Sequence, residues 1–369
     1  MKDYDVLVRG AGIVGQSLAL ALSRLGLQVA LRPDPVRSAT ALDVRAYALN
    51  AASVALLQSL KVWDALPPHA ATPVHDMHIE GDAPGAGLDF SAWEQQVGEL
   101  AWIVDAALLE RELAAAVRFA PHVALTSDDV RPALTALCEG RESASREALG
   151  VRFERNDYGH RAIAARLTTS RPHNNIARQW FRSPDVLALL PFDTPQPQAS
   201  YALVWSMPDE RADALLAHDD AAFEQALADA TGGAAGALTL SSARFAWPLM
   251  RAEASAWYGP GWVLLGDAAH VVHPLAGQGL NLGLADVATL ARVIAEREPW
   301  RPLGDERLLR RYARERLAPT WAMGRLTEGL LRLFAHDQPA VRELRNRGLT
   351  LVNHLSPVKR WLTSRALDS

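Results

Sequence analysis

The chain has 369 residues, 49% of them hydrophobic and 22% charged, with a formal net charge of −4; that length supplies two domains with a shared core, and the slight acidity gives a nucleic-acid partner no electrostatic support. A single cysteine, Cys138, excludes an intrachain disulfide and any multi-cysteine metal site, so no metal is expected and a reducing interior is. No apolar run approaches the ~18 residues of a membrane span, and the opening Met1-Lys2-Asp3-Tyr4-Asp5 lacks the basic region and apolar core of a signal peptide, which predicts a cytoplasmic protein.

The first element, Asp5-Val6-Leu7-Val8-Arg9, reads as a buried strand. Gly10-Ala11-Gly12-Ile13-Val14-Gly15 reads as a turn, residues 17–25 as a helix closed by Gly26, and residues 28–31 as a second strand. This is the βαβ dinucleotide fingerprint in its required context. Gly10 serves the tight turn, Gly12 the close approach to a pyrophosphate and Gly15 the helix–strand packing, with Ile13 and Val14 at the helix start beside the phosphates. An acid is expected about 20 residues on, against the ribose hydroxyls. Arg32 stands there instead. It accords with a 2′-phosphate, with stacking on adenine, or with a ribose held by another group such as Asp34.

Pro67-Pro68 and the glycine-bearing residues 81–87 mark crossings between domains or a hairpin loop. Residues 74–90 and 159–247 are expected to build a second sheet. Ile163, Leu187, Leu189, Leu190, Phe192, Leu203, Val204, Trp205, Phe245, Trp247 and Leu249 make that region apolar, which suits an aromatic or prenylated substrate. Asn174-Asn175-Ile176-Ala177-Arg178-Gln179-Trp180-Phe181 alternates as a strand that is polar on one side.

The most informative stretch follows. Trp262-Val263-Leu264-Leu265 has strand length, Gly266-Asp267-Ala268-Ala269-His270-Val271-Val272-His273-Pro274-Leu275-Ala276-Gly277-Gln278-Gly279 is a loop, and from Leu280 and Asn281 onward the apolar residues recur at helical spacing. A glycine-bounded helix start offers unpaired amides and the positive end of the helix dipole, and so favours an anion. The N1–C2=O edge of a flavin, which becomes anionic on two-electron reduction, is the occupant that fits. Gly277 and Gly279, with Gln278 between them, let the backbone approach it. Asp267, just past the strand, suits a ribitol or ribose hydroxyl. After Trp300 the chain turns helical and arginine-rich; its tail reads as a helix closing the flavin domain, as a homodimer contact, or as a peripheral membrane contact.

With the fingerprint, Asp43-Val44-Arg45-Ala46-Tyr47-Ala48-Leu49-Asn50-Ala51-Ala52-Ser53, Trp102-Ile103-Val104-Asp105, Ala188-Leu189-Leu190-Pro191-Phe192, the Gly266 loop and residues 334–359 in this order, the chain resembles the single-component FAD-dependent aromatic hydroxylases, most closely their ubiquinone-biosynthesis branch. The resemblance implies an α/β fold of the p-hydroxybenzoate-hydroxylase type. A Rossmann-like FAD-binding domain would use residues 1–73, 98–158 and 250–299. An inserted mixed β-sheet substrate domain would use 74–97 and 159–249, with C-terminal helices from 300 to 369. It also implies FAD as cofactor, and NAD(P)H as a transient co-substrate since no second fingerprint follows a strand; O2 would supply the oxygen transferred to an aromatic ring, plain or polyprenylated.

In the family's terms Arg45 is a clamp on FAD, Pro274-Leu275-Ala276 a non-donating wall beside the flavin, and His270 and His273 candidate relays for a phenolic proton. The family's Ala-Asp-Gly segment is matched here by Cys138-Glu139-Gly140, with glutamate for aspartate. Arg9, Arg32, Glu139 and a short middle segment all depart from the pattern on the adenosine side, which predicts a pared-down sheet and loosely held FAD. Two rival readings are a flavin oxidoreductase of the same fold acting on a non-aromatic substrate, and a non-catalytic scaffold.

Overall fold

A computed structural model describes residues 3–33, 43–82, 86–272 and 278–335. Its first layer is a six-stranded sheet in the order Tyr258–Gly259, Trp262–Leu264, Pro132–Leu137, Tyr4–Arg9, Val29–Arg32, Val123–Leu125. Five of these strands are parallel and the first is antiparallel to its neighbour. Parallel strands are covered on both faces and so read as continuous apolar runs: Val6, Val8, Val29, Leu31, Leu134 and Val263 are all buried. The short middle segment still contributes two of these strands, Val123–Leu125 and Pro132–Leu137, so the parallel layer continues on both sides of the fingerprint. The helices Ile13–Arg24, Ala106–Phe119 and Gln278–Ala295 share one core with this sheet.

The second layer is a nine-stranded, mostly antiparallel sheet. Its long strand Phe153–Thr169 pairs with both Ser200–Pro208 and Phe245–Ala254, and Ile176–Arg182 runs parallel to Asp76–Glu80. The predicted strand at 174–181 therefore starts two residues late; Asn174 and Asn175 adopt positive φ in the preceding turn. Glu80 pairs with Gly87 across two antiparallel strands and Gly81 N–H bonds to Ala86 O, so the described ends of the glycine-bearing segment meet as a hairpin does; residues 83–85 lie outside the described residues. A three-stranded sheet of Ala46–Leu49, Ala101–Asp105 and Ala71–Val74 lies between the two layers.

Alternation along the second sheet separates its faces. Ile163, Leu187, Leu189, Leu203 and Trp205 point to one side and are buried beneath helices Asp209–Ala217 and Asp220–Thr231. Ala162, Ala164, Arg166, Ala188, Leu190, Phe192, Val204, Phe245 and Trp247 point to the other, toward the three-stranded sheet and the first layer. The apolar residues grouped from sequence as a substrate surface thus divide. Ile163, Leu187, Leu189, Leu203 and Trp205 are helix-covered core, and Leu190, Phe192, Val204, Phe245, Trp247 and Leu249 lie on the inner face.

The chain passes between the layers at the glycine-rich loop. Trp262–Leu264 is in the first sheet, and six residues later His270–Val271 pairs with Ala252 and Glu253 at the edge of the second. The C-terminal helix Glu306–Ala335 packs on the Gln278–Ala295 helix. The sequence features at 336–369 and the roles they suggested lie outside the described residues. Among the described residues, no helix is long and apolar enough to cross a membrane.

Candidate active site

The turn after strand Tyr4–Arg9 is built by contacts that only glycine permits. Gly10 has φ +99°, and a Cβ there would lie 2.3 Å from Cys138 O; a Cβ on Gly15 would lie 1.9 Å from Gly10 O. The helix Ile13–Arg24 begins at Gly12, with no side-chain cap and no acid in its first turn, so its own residues place no counter-charge at its positive end. Ile13 is buried in the core, and Val14 packs against the glycines of the second loop, where a Cβ on Gly283 would meet its Cγ2 at 2.7 Å. For these two residues the side chains are engaged in packing, which leaves their amides as the groups available to a phosphate.

Beside this turn the cationic residues already have partners. Arg9 Nε is 2.9 Å from Glu139 Oε1. Glu139 also accepts from Ser143 Oγ at 2.6 Å, Ser145 Oγ at 2.6 Å and Ser145 N at 3.1 Å. Burial alone would raise the Glu139 carboxyl, but these hydrogen bonds and Arg9 together hold it below the usual carboxylate range. Arg32, at the end of Val29–Arg32, donates to Asp128 O and lies 3.7 Å from Asp129 Oδ1.

The second loop carries the other half of the site. Gly266, at φ +59°, turns the chain so that Asp267 is exposed while Gly266, Ala268, Ala269 and His270 are buried around it. Protein crowded about that carboxyl pushes its pKa up, with His270, Arg141 and Arg45 opposing. Asp267 in turn raises Tyr47, whose hydroxyl burial lifts to about 12. Arg45, Tyr47, Arg141 and Asp267 therefore lie within electrostatic reach of one another, although 222 positions separate Arg45 from Asp267 in the chain.

Arg45 is not a free cation. Its Nε and Nη2 bond Asp43 at 2.8 and 2.6 Å, and Glu110 lies 3.7 Å away. Its carbonyl accepts from Arg166 Nη2 at 2.8 Å, and the same Nη2 reaches Asp105 Oδ2 at 3.2 Å. Arg166 comes from the second sheet and is buried over the Phe192 ring at 3.8 Å; burial lowers its pKa to about 10. Its Nη1 has no hydrogen-bond partner among the described residues. Sequence reading missed Arg166, which sits in a strand with no motif around it.

Burial bears on two further assignments. His270, read as a proton relay, is 3% exposed; its Nε2 is 2.7 Å from Asp286 Oδ2 and its ring stacks on Trp257 at 4.8 Å. A ring engaged on these sides is part of the framework. Asn281, read as a flavin contact, is 1% exposed; its Oδ1 accepts from Asn50 N and Ser53 Oγ, and its Nδ2 donates to Ala48 O. Its side chain ties the helix Gln278–Ala295 to the strand and helix that follow Arg45. Leu280 also packs into the core. A Cβ added to Gly279, by contrast, would meet no described atom within 4 Å. Gln278 is described only as the helix's first residue, and His273, Pro274 and Gly277 lie outside the described residues.

An uncapped helix start behind two obligate glycines, an exposed acid at the end of a parallel strand and a helix-start glycine open to its surroundings together form a cradle of the kind FAD needs. Over residues 110–327 the chain matches the family model described as FAD binding domain. The ubiquinone hydroxylase UbiL of Rhodospirillum rubrum is 31% identical over 393 residues, covering 100% of this chain and 90% of that protein. This chain belongs to that family of FAD-dependent hydroxylases. The 3-demethoxyubiquinol 3-hydroxylase of Escherichia coli is 28% identical over 396 residues, covering 99% of each. The fold of p-nitrophenol 4-monooxygenase from Pseudomonas putida superposes with a TM-score of 0.78 at 16% identity, over 100% of this chain and 99% of that one. As a flavin hydroxylase the protein has a fold of the p-hydroxybenzoate-hydroxylase type, and within it the Gly10 and Gly266 turns stand at the ends of adjoining regions of one parallel sheet.

Proposed function

We propose that this hydroxylase acts on a phenolic ring carrying an apolar, prenyl-type tail, as in ubiquinone biosynthesis, and that it draws hydride from transiently bound NAD(P)H. The observation that carries this is the inner face of the second sheet. There Ala162, Ala164, Ala188, Ala202 and Val204 occupy neighbouring positions, with the parallel rings of Phe245 and Trp247 along one margin and Arg166 along the other. Small side chains beside an aromatic pair would make a shallow apolar trough for a flat ring. The names of the relatives, which act in ubiquinone biosynthesis, favour the same class of substrate.

Bound FAD supplies the redox chemistry, accepting hydride and activating O2 for transfer to the ring. The protein's part is to bind, orient and keep water out. The amides at the starts of Ile13–Arg24 and Gln278–Ala295 would face the diphosphate and the flavin's pyrimidine edge, and Asp267 a ribityl hydroxyl. Arg45, oriented by Asp43, would meet the dinucleotide from the facing sheet. Arg166, with one unpartnered N–H, would orient a ring oxygen. The trough would hold the ring close to the reacting position and dry. His273 and Pro274 keep their proposed places as proton relay and flavin wall; His270 does not.

FAD-loaded protein should consume NAD(P)H faster when a prenylated phenol is added, and the product should carry oxygen from 18O2. Flavin reduction by NAD(P)H that no phenol stimulates, with all oxygen recovered as H2O2, would refute the hydroxylase substrate class proposed. The same assay with NADH and NADPH in parallel decides the donor.

A further inference from the structure

The turn that carries Asp267 is gripped by two buried guanidinium groups, neither of which belongs to the fingerprint or the glycine-rich loop. On one side Arg146, fully buried in Ala144–Ala148, donates from Nη1 to Ala268 O at 3.0 Å and from Nη2 to Arg141 O at 2.9 Å, with its plane 3.6 Å over the Phe153 ring. On the other side Asp286, with no exposed surface, accepts from Gly266 N at 2.9 Å and from Arg316 Nε at 2.7 Å, and meets His270 Nε2 at 2.7 Å. Arg316 comes from the C-terminal helix and also reaches Leu282 O at 3.2 Å. Against the cost of burial, His270 and Arg316 hold the Asp286 carboxyl below its usual range. An ionised acceptor requires that His270 Nε2 carry the proton.

Every bond that His270, Asp286 and Arg316 make here ends on the five residues around Asp267 or on the helix that follows the loop. A buried charge without its partner costs several kcal/mol, so the cluster has one low-energy arrangement. His270 also begins the short strand that joins the second sheet, and the cluster therefore fixes the turn against both layers at once.

We infer that the His270–Asp286–Arg316 cluster is the device that sets Asp267 at the cofactor, and that Arg316 and Asp286 are positioning residues for FAD. The inference rests on Asp267 contacting the dinucleotide, as proposed above. The test compares full-length Arg316→Met, the pair Asp286→Asn with Arg316→Met, Asp267→Ala, and the exposed control Arg310→Met. Each is measured for apo-protein melting temperature, for FAD dissociation constant by flavin fluorescence, and for the band shape of bound flavin. Arg316→Met should lower the melting temperature and weaken FAD binding about tenfold or more. The paired variant removes the stranded carboxylate and should regain melting temperature, yet keep the weakened affinity and an altered flavin band. Arg310→Met should match the parent. A paired variant with parental affinity and band shape overturns the inference and leaves the cluster purely structural. If Asp267→Ala leaves FAD affinity unchanged, the placement of Asp267 falls, and this inference falls with it for a distinguishable reason.

Discussion

At Gly15 an added Cβ would come within 1.9 Å of Gly10 O and 3.3 Å of Cys138 Cβ, whereas at Gly279 it would meet no described atom within 4 Å. Both glycines begin helices that follow strands, and as strings the two turns look alike. The first glycine is packed against protein, whereas the second has no described atom where its Cβ would lie, as the proposed flavin contact requires. The surroundings agree with that division: near Gly10 the charges of Arg9 and Glu139 satisfy each other, while near Gly266 the exposed carboxyl of Asp267 is crowded and has no hydrogen bond among those described. On the proposed reading, the first turn is held by protein contacts alone and the second is completed by the cofactor.

The largest effect should come from Gly15→Ala. The clash is with a backbone oxygen that cannot rotate away, so the cost should reach ~3 kcal/mol or more, enough to lower the melting temperature by several degrees even with FAD added. A variant that melts like the parent would erase the contrast between the turns. Gly279→Ala sharpens it from the other side. Its apo-protein should melt within about a degree of the parent, since alanine is a better helix former and meets no clash, while FAD affinity drops about tenfold or more. Equal losses of stability and affinity would mean that Gly279 too is packed by protein.

Ala164→Leu examines the facing layer, with a smaller effect. A larger side chain in the trough should reduce kcat/KM for a prenylated phenol about tenfold and raise the share of NAD(P)H oxidised to H2O2, with FAD affinity unchanged. Unaltered coupling would place the substrate elsewhere than on the inner face.

What could be read from the chain follows the range of the interactions. The fingerprint was legible because its glycines act within six residues, and the Gly266 loop because strand, acid, glycine and helix follow one another directly. Alternation revealed the second sheet without showing which face would be covered: Leu187 and Leu190 are equally apolar, yet one lies under helices and the other on the inner face. Arg316 was illegible for a related reason. Its carboxylate partner is 30 positions away on a different helix, and an arginine-rich helix gives no sign of which guanidinium will be buried. His270 and Asn281 show that a motif position marks a residue as needed and does not say whether the need is chemical or architectural; both side chains are buried and bonded within the protein. Arg32 and Glu139 were read as departures weakening the adenosine side; the structure gives both of them local partners.

The smallest effects, and the finest comparison, concern the two carboxyls. Glu139 is lowered by its hydrogen bonds and by Arg9, so its contribution to stability is present above the ordinary glutamate range near ~4.3 and disappears as pH falls through its folded-state pKa. Asp267 is raised, so the opposite holds: the apo-protein is stabilised below the ordinary aspartate range near ~3.9, and that stability is lost as pH rises through the raised value. At pH 7, therefore, Glu139→Gln should lower the apo-protein's melting temperature by about a few degrees and Asp267→Asn should raise it, while Asp267→Asn also weakens FAD. Both differences from the parent should shrink as the pH is taken below 4, where the native carboxyls protonate. Melting curves of the two variants across pH 3.5–8 measure this, with the pH range set by the usual carboxylate values of about 4. Shifts of the same sign would show that the Asp267 carboxyl is stabilised by the protein alone, in which case the second turn, like the first, needs no ligand to complete it.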